Sequence, residues 1–407
     1  MSEESGEKGA QKPVVTFLGP VASYTHQATL SAFPNSTHTL TPTTTIEDVF
    51  ASVQSGAAAR GVVPFENSSN GSVVFTLDLF ADVQAKYPDI VVCAESYVPV
   101  QHCLLGHARS DQQHATSLSS PGNAGGAGRR AGTGVIPSPL SSGAVTPTPS
   151  IPNPTKPTAR PLSDLSRITK LYSHPQAWGQ CKVFLNTYLK GVERQDVSST
   201  SRAAQIVAED ESGESAAVSS AFAAEVCGLG VLARGIEDRV DNTTRFLVIK
   251  RRGDGRADGK DGAGGEWKTL VSFTVDHANP GSLAHSLAVF EKYELNLTSI
   301  NTRPSGVENW NYIFFVELKG RREEGTLDGP VNEALRELDP VCRGNLPPQP
   351  LQLPQHHQIR IQEPIHALPH TRLLVFVQFP VLDAAGGDAF LEADVGQTVD
   401  SYLSQPG

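Results

Sequence analysis

The sequence lacks long apolar runs, paired-cysteine motifs and basic stripes, and each absence excludes a class of protein. No stretch approaches the roughly 20 apolar residues that cross a bilayer, so we expect no membrane partner. A net charge of -10 repels phosphate backbones, which excludes a nucleic-acid partner. The five cysteines are widely spaced without a CxxC pair, which indicates reduced thiols in a cytoplasmic protein. Metal-ligand spacing and a Gly-rich nucleotide loop are also missing.

Two segments lack the composition of a folded core. Residues 107–164 contain no Phe, Trp or Tyr and are dense in Gly, Ser, Pro and Thr, which predicts a disordered insertion. Residues 251–266 (RRGDGRADGKDGAGGE) alternate charges with glycines, which predicts a flexible linker. We therefore expect one domain over residues 14–250 and a second over 268–346. Residues 347–407 receive no assignment.

Strands and helices alternate before the predicted linker, as in α/β folds. Short buried strands are predicted at residues 14–18, 61–64 and 168–172, and each is followed by a polar turn and a helix. After the linker, the predicted order β-α-β-β-α matches a ferredoxin-like module that still needs its last strand. Residues 341–346 are a poor candidate for that strand, and the later run LLVFVQF has no obvious place.

Polar turns follow the three predicted strands of the first domain. They cover residues 19–24, 66–71 and 173–176, and a fourth polar cluster covers residues 241–246. Free backbone N–H groups at a helix start can bind an anion, although Ser and Asn at such places are usually helix caps. Several such turns in one domain favour a cleft that binds carboxylates.

Four motifs resemble the ordered motifs of prephenate dehydratases. They are GPVASYTHQATLSAF (19–33), VPFENSSNGSVVFTLDLF (63–80), KLYSHPQAWGQC (170–181) and NTTRFLVI (242–249). Downstream, NPGSLAHSLAVF (279–290) and INTRPS (300–305) are similar to the ACT domain of that family. The family's usual Glu-Ser-Arg-Pro signature here begins with Asn301-Thr302. The resemblance implies α/β architecture, with a two-lobed periplasmic-binding-protein-like catalytic domain, a site in the cleft, and a ferredoxin-like (βαββαβ) ACT domain.

The resemblance also implies an activity, the conversion of prephenate into phenylpyruvate with loss of water and carbon dioxide. That reaction requires neither a metal nor an organic cofactor, so we expect none, in agreement with the missing metal-ligand and nucleotide motifs. Thr244 then donates a hydrogen bond or proton to the departing hydroxyl, while Asn67, Ser173 and Gln180 bind and orient the substrate. A threonine hydroxyl is a weak acid, so we expect assistance from the positive charge of Arg245. The remaining substrate-binding candidates are Ser23, Tyr24, Glu66, Ser68, Arg245 and Phe246.

Each candidate also has a plainer interpretation. Thr244 can be an ordinary strand residue, Ser173 a helix cap, and Gln180 part of a solvated helix face. Arg245 can be a structural ion-pair partner, and Phe246 suits packing better than catalysis. The carboxylate of Glu66 would repel a dianionic substrate, so its expected role is to orient its neighbours.

The ACT resemblance implies L-phenylalanine as an allosteric effector and a homodimer or homotetramer. The effector-binding candidates are Gly281, Ser282, Leu283, Asn301, Arg303 and Pro304. Arogenate as the substrate and a catalytically silent amino-acid sensor are the alternatives. We expect no room for a fused chorismate mutase domain before residue 14, and no transit peptide.

Overall fold

The computed structural model describes residues 12–107, 156–254, 267–306, 308–323, 326–342 and, for the backbone, 373–380. The chain divides into two compact units. Unit 1 comprises Met1–Pro99 and Thr243–Gly407, and unit 2 comprises Val100–Asn242. Most of the predicted insertion and most of the predicted linker lie outside the described residues.

The elements of the chain fall into four groups. The first part of unit 1 contains β1 (Val14–Leu18), α1 (Tyr24–Ala32), β2 (Thr39–Thr43), α2 (Ile46–Gln54), β3 (Arg60–Asn67), β4 (Gly71–Ser72), α3 (Val74–Ala81) and β5 (Ile90–Pro99). Unit 2 contains β6 (Cys103–Gly106), β7 (Lys170–Ser173), α4 (Pro175–Gln180), α5 (Lys182–Tyr188), β8 (Glu193–Asp196), α6 (Thr200–Glu209), β9 (Ser215–Ser219), α7 (Ala221–Cys227) and β10 (Gly230–Arg234). The chain returns to unit 1 through β11 (Thr243–Arg251). The last group is β12 (Trp267–Thr274), α8 (Ser282–Lys292), β13 (Leu297–Pro304), β14 (Tyr312–Lys319), α9 (Pro330–Cys342) and β15 (Leu373–Pro380).

The first sheet of unit 1 has the order β2-β1-β3-β11-β5, with β4 paired to β3. β1 runs parallel to β2 and β3, whereas β11 is antiparallel to both β3 and β5. Buried apolar side chains cover both faces, with Phe50 and Phe80 in one cluster and Phe17 and Phe246 in the other. β11, the first strand after unit 2, therefore lies inside this sheet, between β3 and β5.

The sheet of unit 2 has the order β10-β6-β9-β7-β8. β7 is parallel to β8 and β9. The helix that follows β7, α4, begins at Pro175, and the first turn of a helix does not need the backbone N–H that proline lacks. The sequence predicted one helix here, but the structure has α4 and α5, separated at Cys181. Asp238 accounts for the break, because its N–H donates to Gln180 O and its carboxylate accepts from Val183 N.

The third sheet, in unit 1, has the order β13-β14-β12-β15 and is antiparallel throughout. With α8 and α9 packed on it, the chain order β12-α8-β13-β14-α9-β15 is the ferredoxin-like βαββαβ arrangement. The run LLVFVQF, which had no place in the sequence interpretation, lies in β15, and Val375 pairs with Val271. We call β12 to β15 with α8 and α9 the ferredoxin-like module. No helix in the described residues is long and apolar enough to cross a membrane.

Candidate active site

Thr244 and Asn67 form the centre of the candidate site in unit 1. They are paired residues on β11 and β3, and Nδ2 of Asn67 donates a 2.9 Å hydrogen bond to Oγ1 of Thr244. Both side chains are half-buried. The antiparallel register thus brings together two of the predicted catalytic residues, which are 177 positions apart in the sequence.

The turn after Asn67 holds that residue in place. Its Oδ1 accepts hydrogen bonds of 3.0 Å from the backbone N–H groups of Ser69 and Asn70. Ser68 fixes the other side of the turn, since its N–H donates to Thr243 O and its hydroxyl accepts from Thr243 N, both at 2.9 Å. The predicted strand-to-helix turn is wrong here, because the turn leads into β4 and α3 begins later, at Val74. Anion binding by residues 66–71 stays a prediction.

The turn before α1 is used as a helix cap. Ser23 accepts a hydrogen bond from His26 N at 3.1 Å, and its hydroxyl donates to Leu18 O at 3.3 Å. Tyr24 is partly buried against the core of the first sheet. His26 stacks on Phe17 with ring centroids 4.7 Å apart, and burial lowers its pKa to about 4. This geometry supports the capping interpretation of Ser23.

Arg245 does not have the position that the sequence predicted for it. Adjacent strand residues point to opposite faces, so Arg245 points away from the face on which Thr244 meets Asn67. Its side chain is 6% exposed, and the guanidinium group forms ion pairs with Glu95 and Glu317. We therefore correct the expectation that Arg245 contacts substrate or assists Thr244 directly.

Glu66 and Phe246 also differ from a substrate-binding role. Glu66 is paired with Arg245 across the β3–β11 register, and burial raises its pKa while the charge of Arg245 opposes the rise. Phe246 is 1% exposed and packs in the apolar core of the first sheet. The prediction that Phe246 binds substrate is therefore wrong, because its ring has no exposed face.

The partners of Arg245 form a buried network of charges. Nη2 of Arg245 lies 2.6 Å from Oε2 of Glu95, and Nζ of Lys268 lies 3.0 Å from Oε1 of the same carboxylate. Lys268 also lies 3.8 Å from Glu317, and its Nζ donates to the Tyr97 hydroxyl at 3.0 Å. Burial would raise the pKa of Glu317, but Arg245 and Lys268 outweigh it and hold that pKa below its ordinary value.

The predicted residues of unit 2 lie at the end of β7 and on α4. Ser173 is fully buried, and its hydroxyl donates a 2.7 Å hydrogen bond to Val218 O on β9. Oε1 of Gln180 is 2.7 Å from Nε2 of His102, which is 2% exposed and whose pKa is lowered by burial. Since an amide oxygen accepts, the imidazole carries its proton on Nε2. The hydroxyl proton of Ser173 is used in the hydrogen bond to the backbone oxygen of Val218.

Comparison with known proteins decides the family. The prephenate dehydratase family model matches residues 15–126 and 158–254. A bifunctional chorismate mutase/prephenate dehydratase from Aquifex aeolicus is 35% identical over 328 residues, which cover 81% of this chain and 70% of that protein. The chain belongs to the prephenate dehydratase family. A probable prephenate dehydratase from Saccharomyces cerevisiae is 29% identical over 333 residues, covering 74% of this chain and 86% of that one.

A solved structure agrees with this membership in fold. The prephenate dehydratase from Arthrobacter aurescens, determined in complex with L-Phe, superposes with a TM-score of 0.60 and 24% identity, covering 96% of this chain and 100% of that one. The two segments matched by the prephenate dehydratase family model leave out residues 127–157, which lie inside the predicted insertion.

The predicted effector residues of this prephenate dehydratase family member lie at two places in the ferredoxin-like module. Gly281 caps α8 with φ +87°, and the hydroxyl of Ser282 donates to Asn279 O at 2.9 Å. Leu283 is partly buried against the module's core. Asn301, Arg303 and Pro304 lie together on β13.

Two residues of β13 contact the first sheet's elements. Oδ1 of Asn301 accepts a 2.6 Å hydrogen bond from Ser72 on β4. Arg303 forms a two-pronged ion pair with Asp78 on α3, at 2.5 and 3.0 Å. These side chains are thus already bonded within unit 1.

Sequence reasoning missed the partners that hold the candidate residues. His102, Glu95 and Glu317 were not among the site candidates, although each touches one of them. A signal existed for the two carboxylates, since each interrupts an apolar strand, VVCAESYVP and YIFFVEL. In the described residues no three His, Cys, Asp or Glu side chains are grouped to hold a metal ion.

Proposed function

We propose that this chain converts prephenate into phenylpyruvate, as a carbon–oxygen lyase that releases water and carbon dioxide in L-phenylalanine biosynthesis. The observation that carries the proposal is the Thr244 hydroxyl held by the Asn67 amide, inside the region matched by the family model. Prephenate is a dianion with a carboxylate and a hydroxyl on its ring. Formation of the aromatic ring drives the loss of that carboxylate, as carbon dioxide, and of that hydroxyl, as water.

The bond changes assign a role to one proton. The ring–carboxylate C–C bond breaks, its electron pair enters the ring, carbon dioxide leaves, and the C–O bond to the hydroxyl breaks. The departing oxygen takes a proton and becomes water, and solvent replaces the one proton that the reaction consumes. We propose that Thr244 donates to that oxygen as the C–O bond breaks, so that charge is stabilised where it develops. No electron donor or acceptor is needed.

Asn67 prepares the Thr244 hydroxyl for this role. The amide N–H occupies a lone pair of Oγ1 at 2.9 Å, so the hydroxyl's own hydrogen must point elsewhere and is the donor that faces substrate. A hydroxyl that accepts a hydrogen bond becomes a better donor, because the bonds polarise each other. We therefore assign the assistance to Asn67, in place of Arg245.

Gln180 is the proposed carboxylate-binding group of unit 2. Its oxygen is engaged by His102, and the side-chain amide nitrogen carries two N–H groups that can donate to a substrate carboxylate. Because the hydroxyl of Ser173 donates to Val218 O, we propose that Ser173 shapes the end of β7 and supports α4. A cytoplasmic location is part of the proposal.

The ferredoxin-like module is proposed to be an ACT domain that binds L-phenylalanine. Support comes from the module's strand order and from the Arthrobacter aurescens relative, which was determined with L-Phe bound. The proposed assembly is a homodimer or homotetramer. End-product inhibition then requires that L-phenylalanine bind two states of the enzyme with different affinity.

The decisive experiment is incubation of the purified chain with prephenate and, separately, with arogenate. We expect the wild-type chain to form phenylpyruvate from prephenate, and Thr244→Ala to lose most of this activity. Phenylalanine formed from arogenate at a much higher kcat/KM would make arogenate the substrate. If the chain converted neither prephenate nor arogenate but still bound L-phenylalanine, it would be an amino-acid sensor and not an enzyme.

A further inference from the structure

Four charged side chains are buried where the first sheet of unit 1 meets the ferredoxin-like module. Glu95 on β5 and Arg245 on β11 come from the first sheet, and Lys268 on β12 and Glu317 on β14 come from the module. Their side chains are at most 6% exposed. Each of the two carboxylates contacts both cations, and the half-buried carboxylate of Glu66 interacts electrostatically with the same group.

Stability alone explains this network poorly. Removing four charges from water is costly, and well-packed apolar residues in their place are often as stable or more so. What a bonded network does supply is a defined geometry. Here it fixes the side chain of Arg245 between a carboxylate of its own sheet and a carboxylate of the module.

The network adjoins the proposed proton donor. Arg245 follows Thr244 on β11, and the two side chains point to opposite faces of the sheet. Next to them the register with β3 shifts, because Glu66 pairs with Arg245 and Pro64 with Phe246, which leaves Phe65 as an extra residue. The Arg245 guanidinium lies 5.2 Å from the centre of the Phe65 ring. Bulges re-aim side chains next to functional sites.

We propose that Glu317 of the ferredoxin-like module is a positioning residue for the dehydration step, acting through Arg245 on the strand that carries Thr244. The inference rests on the proposed function of Thr244. Glu317 pulls the Arg245 side chain towards the module and so sets the position of the β11 backbone at the preceding residue. The module is then part of the catalytic geometry as well as the place of effector binding.

Charge balance and positioning make different predictions for a pair of variants. Glu317→Gln removes one of the two carboxylates that contact both Arg245 and Lys268, so both melting temperature and kcat should fall, kcat by about tenfold. The double variant Lys268→Met/Glu317→Gln removes one charge of each sign, so the net charge of the network returns to its wild-type value. It should regain the melting temperature while kcat stays low and KM for prephenate stays within about threefold. Recovery of both properties in the double variant would show that the network acts only through stability, and would overturn the inference.

A charge-neutral variant tests the same idea should the double variant fail to fold. Thr298 donates a hydrogen bond to Oε1 of Glu317. Thr298→Val removes that bond without altering any charge, and kcat should fall about threefold with KM unchanged. Thr187→Val, which removes a hydroxyl donor from exposed helix α5, is the matched control and should leave kcat at the wild-type value. Equal kcat in both variants would also contradict the proposal.

A spectroscopic measurement separates this inference from the proposed function. In protein labelled at threonine methyl groups, Glu317→Gln should shift the NMR signal of Thr244, whereas Glu337→Gln should not. Glu337 is a carboxylate of the same module that pairs with Lys292 near the surface. Wild-type protein without prephenate turnover would refute the proposed function, and the Thr244 signal would still report positioning. An unmoved Thr244 signal in Glu317→Gln would refute the positioning role alone.

Discussion

Asn67 donates a hydrogen bond to Thr244 across the register of β3 and β11, and the same Asn67 accepts two backbone hydrogen bonds from its own turn. The amide is therefore locked in one orientation, with oxygen towards the turn and nitrogen towards Thr244. This arrangement fixes the direction in which the Thr244 hydroxyl can donate its hydrogen bond. The consequence can be tested by changing one atom at a time.

Replacing Thr244 by alanine should lower kcat by about 10²-fold, the size of effect seen when one transition-state hydrogen-bond donor is lost. Thr244→Ser should keep part of the activity, since the hydroxyl remains. Steady-state kinetics with prephenate is the measurement. Thr41→Ala, at an exposed position of β2, is the control and should behave as wild type. A wild-type rate for Thr244→Ala would remove Thr244 from the mechanism.

Asn67→Asp separates the two ends of the amide. A carboxylate at this position still accepts from Ser69 N and Asn70 N, so the turn should persist. It cannot donate to Thr244 unless protonated, and it draws the threonine hydrogen towards itself. We expect kcat to fall by about 10²-fold at neutral pH with little change in melting temperature. Asn70→Asp, in the same turn but exposed, should retain the wild-type kcat.

Helices and strands whose start or core is marked by nearby residues were predictable from the sequence. A short β-branched and apolar run and a capping serine are sufficient to predict β1 and α1, and Pro175 marks the start of α4. The motif NTTRFLVI indicated Thr244 in a different way, through its resemblance to a known family. The insertion of β11 between β3 and β5 was not predictable, because pairing between distant strands leaves no trace in either segment alone.

The role of Arg245 shows why the site itself was harder. A charged residue beside a catalytic candidate suggested assistance, but its orientation depends on strand alternation and on carboxylates from two other strands, β5 and β14. Glu317 is 72 residues away in the sequence. β15 was missed for a related reason, since a long segment separates it from α9 and its partner β12 lies further back. Buried carboxylates within apolar strands are the sequence feature that indicates such a network.

Acid should destabilise the fold through His26. Its pKa is about 4 in the folded chain, against 6.5 for an ordinary histidine, because burial disfavours the charged ring. The unfolded chain therefore binds the proton more readily between these values, so this contribution to stability is complete above pH 6.5 and is lost as the pH falls towards 4. The loss should be about 3 kcal/mol at pH 4.

Chemical denaturation of wild type and His26→Gln at neutral pH and at pH 4 measures this contribution. The wild type should lose more stability on acidification than the variant, by about the stated amount. His285→Gln, on the exposed face of α8, serves as the control and should lose as much as wild type. Equal acid sensitivity of wild type and His26→Gln would show that other groups dominate.

L-phenylalanine should bind the ferredoxin-like module and reduce prephenate turnover. Gly281 has φ +87° at the start of α8, so the backbone there is open to an amino acid's charged ends, and an added side chain would approach the ring of His285. Gly281→Asp should weaken binding, because its carboxylate repels the ligand carboxylate and the conformation disfavours a side chain. Calorimetric titration and activity assays, performed on the same samples, measure binding and inhibition separately.

The matched control for that variant is Gly228→Asp, which places an aspartate in a similar left-handed position, φ +67°, at the end of α7 in unit 2. It adds the same charge at another left-handed glycine but lies outside the module, so binding of L-phenylalanine should match wild type. Loss of binding in both variants would point to general destabilisation. An intact enzyme that neither binds L-phenylalanine at millimolar concentrations nor loses activity would leave the module as an assembly element, since an effector without differential affinity cannot shift an equilibrium.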